Sequence, residues 1–301
     1  MNHILLTTDE NFAQHCGVCI VSLLKNNPQS EFAITVAAMG LSELTQVRLH
    51  QCVDAFSNGT LKLVEFAEEA LEPFPQIGGY RKNIYLRLWV DEFFAPDVER
   101  VLYLDVDTLV VDSIEELFTD NAQDFVVGAV DIPFADSHNR CHLPLEYGYF
   151  NSGVLLFNVA RWRTEHCRDQ LLDFLIKNQD IALNPDQDAL NGVFYRDRVV
   201  LDSIYNVITP YFRRTDYRKL GDQELDRIRR NAKIIHFNGR ARPWFYSCNH
   251  PYQRKYFEYL ALTPWREFKP QDKSLYVALK KRLRVWLGKE SFVQLSHIKG
   301  M

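Results

Sequence analysis

Residues 101–110 read VLYLDVDTLV: four apolar side chains run straight into two carboxylates one residue apart. Val101, Leu102, Tyr103 and Leu104 have the unbroken apolar character of a strand buried on both faces. Asp105 and Asp107 have no basic neighbour in sequence, and a strand interior would not bury two unpaired carboxylates. The strand therefore ends at Leu104, at the edge where open α/β sheets bind ligands. Two hard oxygen ligands there suit a divalent cation that also holds phosphate oxygens. A D-x-D triplet alone equally describes solvated loop acids or a helix start, so its meaning depends on its surroundings.

The chain before this point alternates between the two periods of regular structure. His3–Thr8 reads as a strand. Phe12, Cys16, Cys19, Ile20, Leu23 and Leu24 recur at helical spacing until Asn26-Asn27-Pro28 stops them. Phe32–Ala38 is a second strand, a helix starts near Ser42, and Leu61–Phe66 is a third strand. Residues 81–95 read as a helix ending before Pro96. Ser113 and Glu116 have capping-box spacing. Further strands are expected at Phe125–Val130, Val154–Val159 and Lys233–Phe237, with a helix over 163–178. The β-α-β-α order predicts one domain built on a mostly parallel, helix-covered sheet.

The 301 residues carry a formal charge of −4, which excludes a general nucleic-acid binder. The charge is unevenly placed. Residues 265–301 hold nine Lys and Arg against three Asp and Glu, +6, so residues 1–264 carry −10. Leu275, Leu279, Leu283, Trp286 and Leu287 share one helical face, with Lys280, Lys281, Arg282 and Arg284 in the same turns. That pattern fits a helix lying on a membrane surface and equally a helix docked on the body with a solvated basic face. The division expected is a catalytic domain over 1–264 and a basic amphipathic tail over 265–301. The start MNHILLTTDE lacks a basic n-region, and no run approaches the ~18–20 apolar residues of a membrane span, so a cytoplasmic body is expected. Cys16 and Cys19 form a C-x-x-C pair on the apolar stripe of a helix. With no second such pair in the chain, buried free thiols in a reducing compartment are expected.

Other segments supply groups that a nucleotide–metal site would use. Asp9, Glu10 and Asn11 follow the first strand; an acid and an amide there can hold a base and a ribose, or cap the next helix. In KIIHFNGRARPW (233–244), His236 ends a strand and can be a third metal ligand. An imidazole beside two carboxylates favours Mn²⁺ over Mg²⁺. Gly239 allows close backbone approach, and Arg240 and Arg242 follow, Arg242 being able to pair with a phosphate oxygen. Asn151 and Ser152 precede a strand. Asp186, Gln187 and Asp188 begin a helix after Pro185, as ligand contacts or as acids favoured by the helix dipole. Asp131 follows a strand, and Arg81, Lys82 and Arg87 add positive charge.

Taken together, TTDEN at 7–11, YLRL at 85–88, VLYLDVDTLV at 101–110, YFNSGVLLFN at 149–158, PDQDALNG at 185–192 and HFNGRARPW at 236–244 closely resemble glycosyltransferase family 8. The likeness is greatest to its bacterial lipooligosaccharide galactosyl- and glucosyltransferases. The resemblance implies the A-type nucleotide-sugar transferase fold, a single Rossmann-like α/β domain. It also implies Mn²⁺ as cofactor, UDP-galactose or UDP-glucose as donor, and retention of anomeric configuration. By position it implies Asp105, Asp107 and His236 as metal ligands, and Asp9 and Asn11 as uridine contacts. Arg87, Asp131, Asn151 and Asp186 would meet the donor sugar or its phosphates. Gln187 resembles the amide beneath the anomeric carbon and Asp188 an acidic neighbour; with Asp131 these two form the candidate catalytic set. Gly239 resembles the diphosphate loop, and Thr7, Val106 and Asn238 lie in the same donor-binding motifs. One departure is Arg242, where close relatives tend to have lysine.

The function so implied is hexose transfer to a lipid-linked saccharide acceptor, peripheral on the cytoplasmic face of the inner membrane through the basic tail. A self-glycosylating enzyme of the glycogenin sort and a catalytically inactive UDP-sugar-binding protein are the alternatives.

Overall fold

The computed structural model describes residues 1–119, 124–133, 137, 141, 143–144, 146–213, 220–239, 242–286 and 292–293. Its main sheet has seven strands: β1 (Asn2–Asp9), β2 (Phe32–Met39), β3 (Gly59–Glu65), β4 (Arg100–Leu104), β6 (Val127–Asp131), β7 (Phe150–Asn158) and β8 (Arg198–Val200). They lie in the order β3-β2-β1-β4-β7-β6-β8. The first three and β4 run parallel, while β7 is antiparallel to both β4 and β6. This is the mostly parallel α/β sheet expected.

The apolar runs are buried on both faces. Ile4, Leu6, Leu102 and Leu104 enter one core cluster, and Leu5, Val101 and Tyr103 enter the other. The period of two sends alternate side chains to opposite layers. Helices α1 (Ala13–Asn26) and α2 (Glu43–Asp54) cover the first face. Helices α3 (Cys167–Lys177) and α4 (Pro185–Phe194) cover the second. Ser42 caps α2, its hydroxyl accepting from Thr45 N. All six cysteines are buried free thiols.

Three expectations are corrected. Residues 82–89 form a 3₁₀ helix followed by one α-turn, Val90–Phe93, rather than a continuous α-helix. The tighter winding aligns residues three apart, so Ile84 and Arg87 share the side facing the acidic turn. The capping box at 113–116 does not form. Glu116 instead reaches Tyr205 and Lys233, two strong partners brought in by the fold. The helix expected over 163–178 is two, Val159–Thr164 and α3, broken at His166, whose φ of 50° is left-handed.

A second, three-stranded sheet was not foreseen. Strand β10 (Ile234–His236) lies between β5 (Thr108–Val110), antiparallel, and β9 (Val207–Ile208), parallel. It fixes residue 236 beside the acidic turn: His236 pairs with Thr108, and Phe237 N donates to Asp107 O at 3.0 Å.

The C-terminal helix, Leu275–Trp286, is described without the side chains of 284–286, and Leu287 lies outside the described residues. Trp265 and Phe268 pack against the first core cluster. No helix of the described residues is long and apolar enough to cross a membrane.

Candidate active site

The chain winds outward from β1 to β3 and returns to β4 on the other side of β1, so the strand order reverses between β1 and β4. Ligands bind open α/β sheets at such a reversal, beyond the carboxyl ends of the strands. Asp9 ends β1 and Asp105 follows β4. Because β7 runs antiparallel, its beginning reaches the same edge, where Asp105 N donates to Gly153 O at 2.8 Å. Asn151 and Ser152 thus lie inside the strand rather than before it.

The acidic turn is closed by Thr108, whose N and Oγ1 both donate to Asp105 O. Oδ1 of Asp105 accepts from the Tyr103 hydroxyl at 2.7 Å and faces Arg87 at 3.0 Å. Its Oδ2 is left towards His236, whose Nε2 stands 3.6 Å away and 3.2 Å from Oδ1 of Asp107. One donor atom from each of Asp105, Asp107 and His236 falls within a common 4.8 Å. Burial pushes Asp105 up and Arg87 only partly offsets it, so its carboxyl titrates above the usual range. Burial acts the same way on Asp107, but His236 outweighs it and the net direction is down. For His236, burial disfavours the charged ring, yet the pull of Asp107 and Asp105 raises it overall. Two carboxylate oxygens and an imidazole nitrogen converging in this way suit a divalent transition-metal cation.

Arg87 is buried and central. It reaches Asp105, Asp186 at 3.3 Å, and Ser152 O at 2.8 Å. Asp186 also accepts from Ser152 Oγ. Gln187 Oε1 accepts two N–H bonds, from Asn151 Nδ2 at 2.8 Å and Ser152 N at 3.1 Å. Asp188 is wholly buried: Tyr149 and Cys141 donate to Oδ1, and the backbone N–H groups of Leu183 and Asn184 to Oδ2. Asp131 is paired with Arg198 at 2.5 and 3.1 Å.

The approach to the cluster is a cleft of about 210 Å³ lined by Thr7, Asp9, Phe12, Asn83, Arg87, Tyr103 and residues 105–107, Val106 among them. It shares Asp9 and Asn83 with a wider one of about 800 Å³ that includes Asn11, Met39, Glu68 and Lys82. Asp9 Oδ1 accepts from the N–H groups of Asn11 and Phe12, and Asn83 donates to Oδ2. Glu10 is committed to the start of α2 through Ser42 and Thr45. Gly239 takes a φ of 81°, which favours glycine, and Asn238 accepts from Thr209 N. Arg240 lies outside the described residues. Arg242 is exposed and stacks over Phe12 and Trp244, 5.8 Å from each ring. Trp244 in turn stacks on His15 at 3.7 Å, which ties this loop to α1.

Residues 3–248 match the model of Glycosyl transferase family 8. The chain belongs to that family. It is 28% identical over 272 residues to General stress protein A of Bacillus subtilis (strain 168), covering 87% of this chain and 94% of that protein. It is 28% identical over 266 residues to a Lipopolysaccharide 1,2-glucosyltransferase of Escherichia coli, covering 86% and 77%. The crystal structure of the galactosyltransferase LgtC in complex with donor and acceptor sugar analogs superposes with a TM-score of 0.76 at 24% identity, covering 90% of this chain and 98% of that one. The chain therefore has the A-type nucleotide-sugar transferase fold and is a glycosyltransferase.

In this family 8 chain, sequence reasoning missed Tyr103, Tyr149, Gly153, Arg198 and Asn206. Tyr103 carries a signal, a lone hydroxyl in an apolar strand. A β-carbon on Gly153 would meet His236 and Asp105, a need that no local pattern announces.

Proposed function

We propose that the chain transfers an α-linked hexose, galactose or glucose, from its UDP ester to a hydroxyl of a lipooligosaccharide or lipopolysaccharide core, with retention and with Mn²⁺. The observation that carries this reading is the convergence of Asp105, Asp107 and His236 at the strand-order reversal. The lipopolysaccharide glucosyltransferase among the relatives supports the acceptor class.

Asp105 Oδ2, Asp107 Oδ1 and His236 Nε2 would hold the cation, which supplies Lewis-acid neutralisation of charge on the departing diphosphate. Arg242 and the backbone at Gly239 add positive charge on the leaving side. Asp9 and Asn11 take the uridine end of the cleft, with Thr7 and Val106 lining it and Asn238 shaping the loop. Arg87, Asp131, Asn151 and Asp186 serve the sugar and phosphates.

The side chains disfavour a covalent intermediate. Asp188 is sealed from solvent with both oxygens engaged, and the Gln187 oxygen already accepts two N–H bonds. We therefore assign Asp188 to positioning and favour attack from the face that UDP leaves. A phosphate oxygen of the leaving group would take the acceptor's proton.

We propose that the tail, 265–301, meets the membrane surface through the exposed side of residues 275–283, while Trp265 and Phe268 hold its start on the body. Leu275, Tyr276, Leu279 and Leu283 are exposed at 53–78%, while Lys281 on the opposite side donates to Tyr246 O and Cys248 O of the body. Lys273, Lys280 and Arg282 are also exposed, so the helix presents an apolar strip beside basic groups.

The test is UDP release with Mn²⁺ and each UDP-hexose, with a truncated lipooligosaccharide as acceptor, followed by linkage analysis. An α-linked hexose on the acceptor is expected. Turnover that is indifferent to chelation and to Asp105→Ala would reject the reading.

A further inference from the structure

Behind the three metal-facing side chains runs a single file of buried hydrogen bonds. His236 Nδ1 meets Asn206 Oδ1 at 3.0 Å, and Asn206 Nδ2 donates to Asn151 Oδ1 at 2.8 Å. Asn151 Nδ2 donates to Gln187 Oε1, Gln187 Nε2 donates to the Tyr149 oxygen at 2.9 Å, and the Tyr149 hydroxyl ends the file on Asp188 at 2.6 Å.

The direction of this file is not a free choice of amide orientation. Gly153 N donates to Asn151 Oδ1 at 3.0 Å, and Ser152 N donates to Gln187 Oε1 at 3.1 Å. A backbone N–H can only donate, so both oxygens are identified, and the amide nitrogens must point the other way. Asn206 then has to present NH₂ to Asn151 and its carbonyl to His236. The neutral imidazole is thereby obliged to carry its proton on Nδ1. Asn206 is 1% exposed, away from bulk solvent.

We infer that Asn206 is a positioning residue that couples the two halves of the active site: oriented by Asn151, it fixes His236 in the tautomer with Nε2 bare towards Asp105 and Asp107, and its bond to Asn151 helps hold in place the amide that meets Gln187. The inference rests on the metal reading proposed above. Partners that orient a ligating imidazole tune metal affinity strongly, which gives the effect its scale.

The experiment uses the full chain and titrates Mn²⁺ in the presence of UDP, reading free ion by electron paramagnetic resonance, with thermal unfolding alongside. Asn206→Leu keeps the volume and removes both bonds, and is expected to weaken Mn²⁺ binding about 10–100-fold. Asn206→Asp keeps an acceptor for Nδ1–H but puts an oxygen against Asn151. It should restore Mn²⁺ binding while kcat for the UDP-hexose stays low. A merely structural role would move unfolding in both variants without that split. Wild-type Mn²⁺ affinity in a folded Asn206→Leu protein overturns the inference. Asp105→Ala is read in parallel: if it too binds Mn²⁺ normally, the metal reading itself has failed and the inference falls with it. Should Asn206→Leu not fold, ¹⁵N resonances of the wild-type His236 ring in alkaline buffer decide. A protonated Nδ1 is expected, and a protonated Nε2 overturns the inference.

Discussion

Gly153 stands so close to His236 that a β-carbon on it would lie 2.7 Å from Nδ1 of the ring, and 2.8 Å from Oδ2 of Asp105. Neither neighbour can give way. The ring is held by Asn206, and Asp105 is held by Tyr103 and Arg87. Gly153→Ala should therefore cost about 1–3 kcal/mol of stability through overpacking and displace the imidazole from the acid pair. Thermal unfolding and Mn²⁺ titration read the two effects. An alanine variant with normal metal affinity would contradict the placement of His236.

The same ring sets a pH dependence. Without metal, His236 titrates above its ordinary value of 6.5 because Asp107 and Asp105 outweigh burial. A raised folded value means the folded chain holds this proton more tightly than the unfolded chain. The stabilisation is complete below about pH 6.5, the unfolded value, and is lost as pH rises through the folded value. Metal binding needs Nε2 bare, so it must strengthen over the interval in which the apoprotein weakens. Apoprotein unfolding and Mn²⁺ affinity, each followed against pH, should move in opposite directions, and His236→Gln should flatten both. Parallel trends would reject the assignment.

Arg87 stands between Asp105 and Asp186 and makes a third bond to Ser152 O. Replacing it with methionine keeps the stem and leaves two carboxylates without their cation, a loss of about 3–5 kcal/mol for a buried pair. A bound divalent ion would supply part of the missing charge. The stability deficit of Arg87→Met should thus be smaller with saturating Mn²⁺ alone than without it, as chemical denaturation can measure; UDP is left out because Arg87 is also assigned to its phosphates. Equal deficits would place the cation elsewhere.

The sheet was readable because its strands are apolar runs cut off by charge, and VLYLDVD shows both signals in seven residues. That Asp105, Asp107 and His236 could form one cluster was readable for the same reason, since all three are groups able to ligate a cation at strand ends. What local periodicity could not supply was pairing. Strand β7 runs antiparallel, so Asn151 and Ser152 belong to its interior, and the YFNSG segment alone does not give a strand its direction. Asn206 sits in LDSIYNVITP, where no local pattern sets it apart from its polar neighbours, and acquires meaning only when β9 pairs with β10, whose His236 lies thirty residues on. The resemblance of PDQDALNG makes Asp188 an acidic neighbour of the donor sugar, and its place at a helix start says nothing of how deeply it lies. Its burial depends on Tyr149 and Cys141, which the fold brings from far along the chain.

The C-terminal helix separates two kinds of contact that can be tested apart. Lys281 fastens it to the body through Tyr246, Cys248 and Gln253, while Leu275, Leu279 and Leu283 face outward at successive turns. Burying three leucines in a bilayer interface would gain about 1.5–3 kcal/mol each, before the costs of association. Basic neighbours add attraction to anionic lipid that salt weakens. Changing Leu275, Leu279 and Leu283 together to serine removes the apolar strip and leaves the Lys281 anchor intact. The triple variant should unfold at the wild-type temperature and release UDP at the wild-type rate with a small acceptor, yet sediment far less with anionic vesicles. Vesicle binding equal to wild type would show that the exposed strip takes no part in docking and that the basic groups act alone.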